Sequence, residues 1–164
     1  MSQINAYKLL QDLLLGKPDE DGKYSDNVPL ADQQRQRAEV IEILNRLQQQ
    51  PGVILADEVG MGKTFVALAV ASCIAKQSNR GPVVIMTPPA LLEKWVSDLR
   101  TFCELYLPAE RVVNRSDPET TTAQLRRQRS LRFGTARNSV ELLKLMDDVP
   151  REQCHLVFLT QTAM

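Results

Sequence analysis

The chain has 164 residues, 43% apolar and 24% charged, and its 20 basic and 20 acidic side chains cancel to a formal net charge of zero. That length suits one domain with its own core, and a neutral total neither demands nor excludes nucleic acid, which only local charge can address. No apolar run approaches the roughly 18 residues of a membrane span, and residues 1–8 lack the apolar centre of a secretory signal, so a cytoplasmic protein is the expectation.

Ile4 to Leu15 places Leu9, Leu10, Leu13 and Leu14 at helical spacing. Gly16 to Pro29 is polar, with two prolines and two glycines, and reads as a loop or linker. The expected division is therefore 1–29, a short N-terminal helix and linker, and 30–164, the main body. Asp32 is the expected N-cap of a helix running to about Gln48, with Val40, Ile41, Leu44 and Leu47 on one face. Pro51-Gly52 stops it.

Val53 to Ala56 is continuously apolar and predicts a strand buried on both faces of a parallel sheet. A glycine loop follows, then a helix from Lys63 to about Lys76. Val83 to Met86 predicts a second buried strand, ended by Thr87-Pro88-Pro89. Ala90 to Phe102 predicts a helix whose apolar face holds Leu91, Leu92, Leu99 and the core anchor Trp95.

Arg111 to Val113 predicts a short third strand. Asn114 to Arg137, rich in Arg, Thr, Ser and Gln, shows little periodicity and receives no element. Ser139 to Asp148 predicts a helix and His155 to Thr160 a strand. The alternation of strand and helix predicts an α/β layered fold around a parallel sheet.

Cys73, Cys103 and Cys154 are odd in number and widely spaced, which suggests buried reduced thiols rather than a disulfide frame or metal cluster. His155 is the only histidine and has no nucleophile motif beside it, so it reads as structural.

The most informative stretch is Ala56-Asp57-Glu58-Val59-Gly60-Met61-Gly62-Lys63-Thr64. Triphosphate binding needs many backbone N–H groups converging on anionic oxygens, and Gly60 and Gly62 leave that approach open. The amides then face the phosphates at a helix N-terminus, where the helix dipole adds positive charge. Lys63 reaches the β- and γ-phosphates as a mobile point charge, and the Thr64 hydroxyl takes one site on Mg²⁺. The loop opens with Asp57 where the common G-x-x-x-x-G-K-[ST] pattern has glycine.

Leu55 to Thr64 resembles motif I of Swi/Snf-type ATPases within helicase superfamily 2. Leu30 to Gln34 is similar to that family's upstream L-x-x-x-Q element, which implies that Gln34, with Gln33 close beside it, contacts adenine. Val83 to Thr87 with Pro88, followed by Leu91 to Trp95, resembles motif Ia, and His155 to Gln161 resembles motif Ib. The resemblance implies the leading part of a RecA-like P-loop domain that binds ATP and Mg²⁺ through Asp57 to Thr64. It implies nucleic-acid contacts, with double-stranded DNA as the expected partner, at Thr87, Pro88, Lys94, Thr160 and Gln161.

The family's D-E-x-H box does not follow Met61, so the expectation is an incomplete motor, inactive alone. Two readings stay open for Asp147 and Asp148: the end of a metal-binding strand, or, favoured, the last turn of a helix before Pro150, since Lys144 would be costly inside a covered strand. Arg126, Arg127, Arg129, Arg132 and Arg137 read either as a phosphate-backbone patch or as a solvated loop. The alternatives to the motor are a non-hydrolysing nucleotide-binding module and a P-loop small-molecule kinase. The Asp-Glu pair before the glycines and the Thr-Pro after the second strand argue against the kinase.

Overall fold

A computed structural model of the chain describes residues 7–25, 28–56, 60, 62–77, 81–149 and 152–161. Ten main elements follow in chain order: α1 (Lys8–Asp12), α2 (Leu30–Leu47), α3 (Lys63–Gln77), β1 (Val83–Thr87), α4 (Leu92–Tyr106), β2 (Arg111–Asn114), α5 (Thr122–Leu125), β3 (Ser130–Ala136), α6 (Ser139–Met146) and β4 (Leu156–Thr160). The four strands form one parallel sheet in the order β1-β4-β3-β2. Parallel neighbours require crossovers, and helices cover both faces, as the alternating pattern predicted.

The larger core lies on the face that carries Leu131, Phe133, Leu156 and Phe158, under α1 to α4. Phe133 and Phe158 meet edge to face with centroids 5.9 Å apart, joining β3 to β4. The opposite face holds Ala136, Val157 and Leu159, covered by Leu142 and Leu145 of α6. Gly134 makes that cover possible: a Cβ there would stand 2.8 Å from a Leu145 methyl. α3 is buried along most of its length, with Val66, Leu68, Ala69 and Cys73 packed between the sheet and the N-terminal helices.

Leu9, Leu10, Leu13 and Leu15 belong to this same core, so the described part of the N-terminal segment packs with the main body. Arg37 of α2 fixes it by donating to the carbonyls of Leu10 (3.1 Å), Leu13 (2.9 Å) and Leu15 (3.2 Å). These groups at and beyond the end of a short helix have no intrahelical partner, and a half-buried guanidinium satisfies several at once. Gln33 secures the following loop by donating to the carbonyls of Ser25 and Val28, each at 2.7 Å.

Four sequence expectations change, the first being that β1, expected as a buried strand, leaves Val84 41% and Met86 46% exposed. α2 starts at Leu30 behind Pro29, and Asp32 lies inside its first turn rather than at the N-cap. There its charge still favours the helix dipole.

Val53 to Ala56 forms no strand, and Ile54 is 93% exposed. Among the described residues no strand lies beside it, since β1 pairs with β4. An apolar run records a demand for burial but cannot supply the neighbour that a strand requires.

Asn114 to Arg137, given no element, contains α5 and the internal strand β3. Arg132 disguised β3 in the sequence. Its guanidinium donates to the carbonyls of Gln153 (2.8 Å) and Leu125 (3.1 Å) while its neighbours Leu131 and Phe133 are buried.

Candidate functional site

Gly60 and Gly62 have φ of 88° and 80°, a region that residues with a side chain rarely enter. Gly62 is also the residue from which α3 starts. Its carbonyl accepts from the amides of Phe65 (3.0 Å) and Val66 (3.2 Å). Lys63 and Thr64 therefore occupy the first turn of a 15-residue helix, where the amides of a helix start point outward.

Phe65 anchors that turn. Its ring meets Phe102 and Tyr106 of α4 edge to face, at 5.8 and 5.9 Å. Asp57, Glu58, Val59 and Met61 of the predicted phosphate loop lie outside the described residues.

A cleft of about 400 Å³ opens beside Gly60, Gly62 and Thr64, within the size range of small-molecule sites. Its other walls are α2, through Arg35 and Gln36, and α4, through Lys94 and Asp98. Both cations are ion-paired: Arg35 with Glu39, and Lys94 with Asp98 at 2.5 Å.

Gln36, which sequence reasoning did not single out, lines this cleft. It is 4% exposed and packs so closely against Gly62 that a Cβ there would stand 2.2 Å from its amide nitrogen. Its Oε1 is buried without a hydrogen-bond partner among the described residues. Such an atom costs free energy until something donates to it.

Gln34, the expected adenine contact, is exposed and does not line this cleft. Gln33 is buried but committed to the loop carbonyls. The signal was present in helical periodicity: Gln33, Gln36, Val40 and Leu44 are the buried residues of α2 and form one stripe, which Gln34 leaves.

The expected nucleic-acid residues divide into three groups. Thr87 and Thr160 are register neighbours at the ends of β1 and β4, and both are buried. Burial takes their side chains away from any backbone passing outside. Pro88 and Gln161, which follow them, are exposed. Lys94 faces the cleft with Asp98.

Of the arginine set, only Arg132 is held inside the fold, and the other four are exposed. Arg126 pairs with Glu152 at 2.7 Å, Arg132 holds backbone carbonyls, and Arg137 lies 3.7 Å from Glu93. Arg127 and Arg129 remain exposed. α6 ends at Met146, so the acids follow a helix as favoured but lie just past its last turn, Asp147 as C-cap and Asp148 after it, where Asp148 accepts two bonds from Arg115, at 2.9 and 3.0 Å.

His155 is structural. Its Nδ1 accepts from the Arg132 amide at 2.9 Å, and its own amide donates to the Arg132 carbonyl at 2.8 Å. Burial, then the charges of Arg132 and Lys76, hold its pKa down to about 3, so the ring is neutral. Cys73, Cys103 and Cys154 are free and buried, and burial pushes each thiol up to about 12, far from reactive thiolate.

A parallel sheet layered by helices, with two left-handed glycines at the start of a buried helix, defines a P-loop α/β domain of RecA-like type. Residues 34–154 match the SNF2-related domain family, and the chain belongs to it. It carries the N-terminal motor region of a Swi/Snf-type ATPase of helicase superfamily 2.

Among curated proteins, the ATP-dependent helicase fft2 of Schizosaccharomyces pombe is 39% identical over 56 residues, 34% of this chain and 4% of that protein. The chromatin-remodeling ATPase INO80 of Arabidopsis thaliana is 36% identical over 62 residues, 37% of this chain and 4% of that protein. The mouse SWI/SNF-related matrix-associated actin-dependent regulator of chromatin subfamily A containing DEAD/H box 1 is 36% identical over 50 residues, 30% of this chain and 5% of that protein. The matches thus span only a small fraction of these relatives' lengths. Among the described residues, no helix is long and apolar enough to cross a membrane.

Proposed function

We propose that this chain is the Mg·ATP-binding part of a Swi/Snf-type motor, and that the cleft beside Gly62 receives the nucleotide. The observation that carries this reading is the coincidence of three features in one cleft. They are two glycines at positive φ, a helix start bearing Lys63 and Thr64, and the unpartnered buried oxygen of Gln36.

The residues present fit the nucleotide. The amides at the start of α3 would hold phosphate oxygens, Lys63 would neutralise the terminal phosphates, and the Thr64 hydroxyl would hold Mg²⁺. When bound, the metal supplies charge neutralisation across the phosphates. Among the described residues no cluster of three acidic, His or Cys side chains stands ready to hold a metal alone. Metal binding at Thr64 would thus rely on the nucleotide's own oxygens. We read Gln36, rather than Gln34, as the glutamine that accepts a hydrogen bond from the ligand, a reading supported by its unpartnered buried Oε1 beside Gly62.

The phosphate loop followed by Lys-Thr and the match across residues 34–154 together support a hydrolytic motor over a small-molecule kinase. In a protein carrying the acidic box and a second motor domain, the site would couple ATP hydrolysis to movement on nucleic acid, for which double-stranded DNA is our proposed track. Pro88 and Gln161 are the exposed candidates for that contact.

The test is a Mg·ATP titration of the 164-residue chain beside Lys63→Ala and Gln36→Leu, with phosphate release followed in the same samples. Binding lost in Lys63→Ala, weakened about tenfold in Gln36→Leu, and without turnover in the wild type is the expected result. A folded wild type that fails to bind would overturn the assignment.

A further inference from the structure

The cleft beside Gly62 has a cation on its α4 wall that the phosphate loop does not account for. Lys94 stands in the first turn of α4 and lines the cleft together with Asp98, one turn further on. The packing of Phe65 brings it there. Phe65, near the start of α3, meets Phe102 and Tyr106 in the second half of α4. At a rise of 1.5 Å per residue, Lys94 lies about 12 Å along α4 from Phe102. Its side chain leans further toward the helix N-terminus. Since Lys94 shares the cleft with Gly60, Gly62 and Thr64, these early turns of α4 extend beyond the start of α3, on the side where the first-turn amides of α3 point.

Among the described residues that line the cleft, Asp32 and Asp98 balance Arg35 and Lys94. A polyanion entering a balanced cleft is favoured only if a cation turns toward it. The two cations differ in how they are held. Arg35 pairs with Glu39, lies 3.9 Å from Asp32, and has a side chain only 30% exposed. Lys94 pairs with Asp98 along the same helix, and its side chain is 62% exposed. An exposed pair of this kind adds little stability, so it exchanges partners at small cost. Lysine is a point charge on a flexible stem, suited to such an exchange. The terminal phosphate of a nucleoside triphosphate carries charge that a diphosphate lacks, and it draws the more mobile cation more strongly than a single carboxylate does.

We propose that Lys94 is a specificity-determining residue of this cleft: it releases Asp98 and pairs with the terminal phosphate, so that the site prefers a nucleoside triphosphate to the diphosphate. The inference rests on the cleft being the nucleotide site. It takes Lys94 out of the nucleic-acid contacts expected from the motif, and gives the α4 wall a part in reading the length of the phosphate chain.

Calorimetric titration of the full 164-residue chain with Mg·ATP and, separately, with Mg·ADP tests the proposal. Lys94→Gln should bind Mg·ATP about tenfold more weakly than wild type and Mg·ADP within about twofold of it. Lys94→Arg keeps the charge and should keep most of the preference for Mg·ATP. Both variants should retain the wild-type thermal unfolding curve, because the side chain is mostly in water. Equal weakening of the two nucleotides, or no change in either, would overturn the proposal. So would a Lys94→Gln chain that binds both nucleotides normally but binds a duplex DNA oligonucleotide more weakly, which would return Lys94 to the nucleic acid. Lys63→Ala, titrated alongside, separates the two levels of the argument. If it abolishes binding while Lys94→Gln has no effect, the nucleotide site stands and only this inference falls. A folded wild type that binds neither nucleotide removes both.

Discussion

Around the phosphate loop, Val53 to Ala56 pairs with no strand among the described residues, whereas Ser130 to Ala136 is paired on both sides, by β2 and by β4. The first segment carries the most specific motif in the chain. The second carries none that sequence reasoning could name. β3 is nevertheless the better built, with five of its seven residues buried, an aromatic pair to β4, and Arg132, Arg115 and Arg126 tying its surroundings together. A motif records the chemistry that a backbone must perform. Burial records the neighbours that a backbone has, and the two need not coincide in one stretch of chain.

This contrast can be broken by mutation. Phe133→Ala removes a fully buried ring that packs against Phe158, and should lower stability by about 3–5 kcal/mol in urea unfolding. A loss below about 1 kcal/mol would mean that β3 is not the central element described here.

His155 sharpens the same point through pH. Its folded pKa, about 3, lies below the 6.5 of an unperturbed histidine, so the unfolded chain takes up the proton first. The stabilisation is fully present above pH 6.5 and declines as pH falls toward 3. Between pH 7 and pH 5 the unfolding free energy should drop by about 2 kcal/mol from this group. His155→Asn, which keeps an acceptor for the Arg132 amide, should flatten that part of the profile. An unchanged slope in the variant would remove His155 from the account.

The smallest effect is expected at Ile54→Asp, within about 0.5 kcal/mol of wild type, because the side chain is already in water. A large loss there would show that Val53 to Ala56 is buried in solution, and the contrast would collapse.

Much of the fold was legible in the sequence for a physical reason. Helices α2, α3, α4 and α6 bury faces whose period is local, so the apolar pattern records them directly. β1 and β4 are short apolar runs between turn signals. β3 was hidden because Arg132 and Gly134 interrupt its apolar run, and both are explained only by distant partners: the carbonyls of Gln153 and Leu125, and the methyls of Leu145.

The site divides in the same way. Gly60, Gly62, Lys63 and Thr64 were legible because phosphate chemistry restricts what can stand there. Gln36 was not singled out, because its role depends on which face of α2 turns toward Gly62. Thr87 and Thr160 sit at the expected strand ends but are buried, which a motif does not report.

The strand order has a consequence for how the molecule comes together in time. β4 stands between β1 and β3 in space, yet it is the last of the four to be synthesised. Among the described strands, β1 finds its partner only once Leu156 to Thr160 has left the ribosome, while β3 and β2 form a separate pair. Among the described strands, no two neighbours are joined by a hairpin that could form early and locally. Assembly therefore waits for contacts between residues some 70 positions apart, Val83 with Leu156 and Thr87 with Thr160. Closing so large a loop before any reward arrives slows folding, and it leaves the apolar edge of β1 exposed to other chains during synthesis.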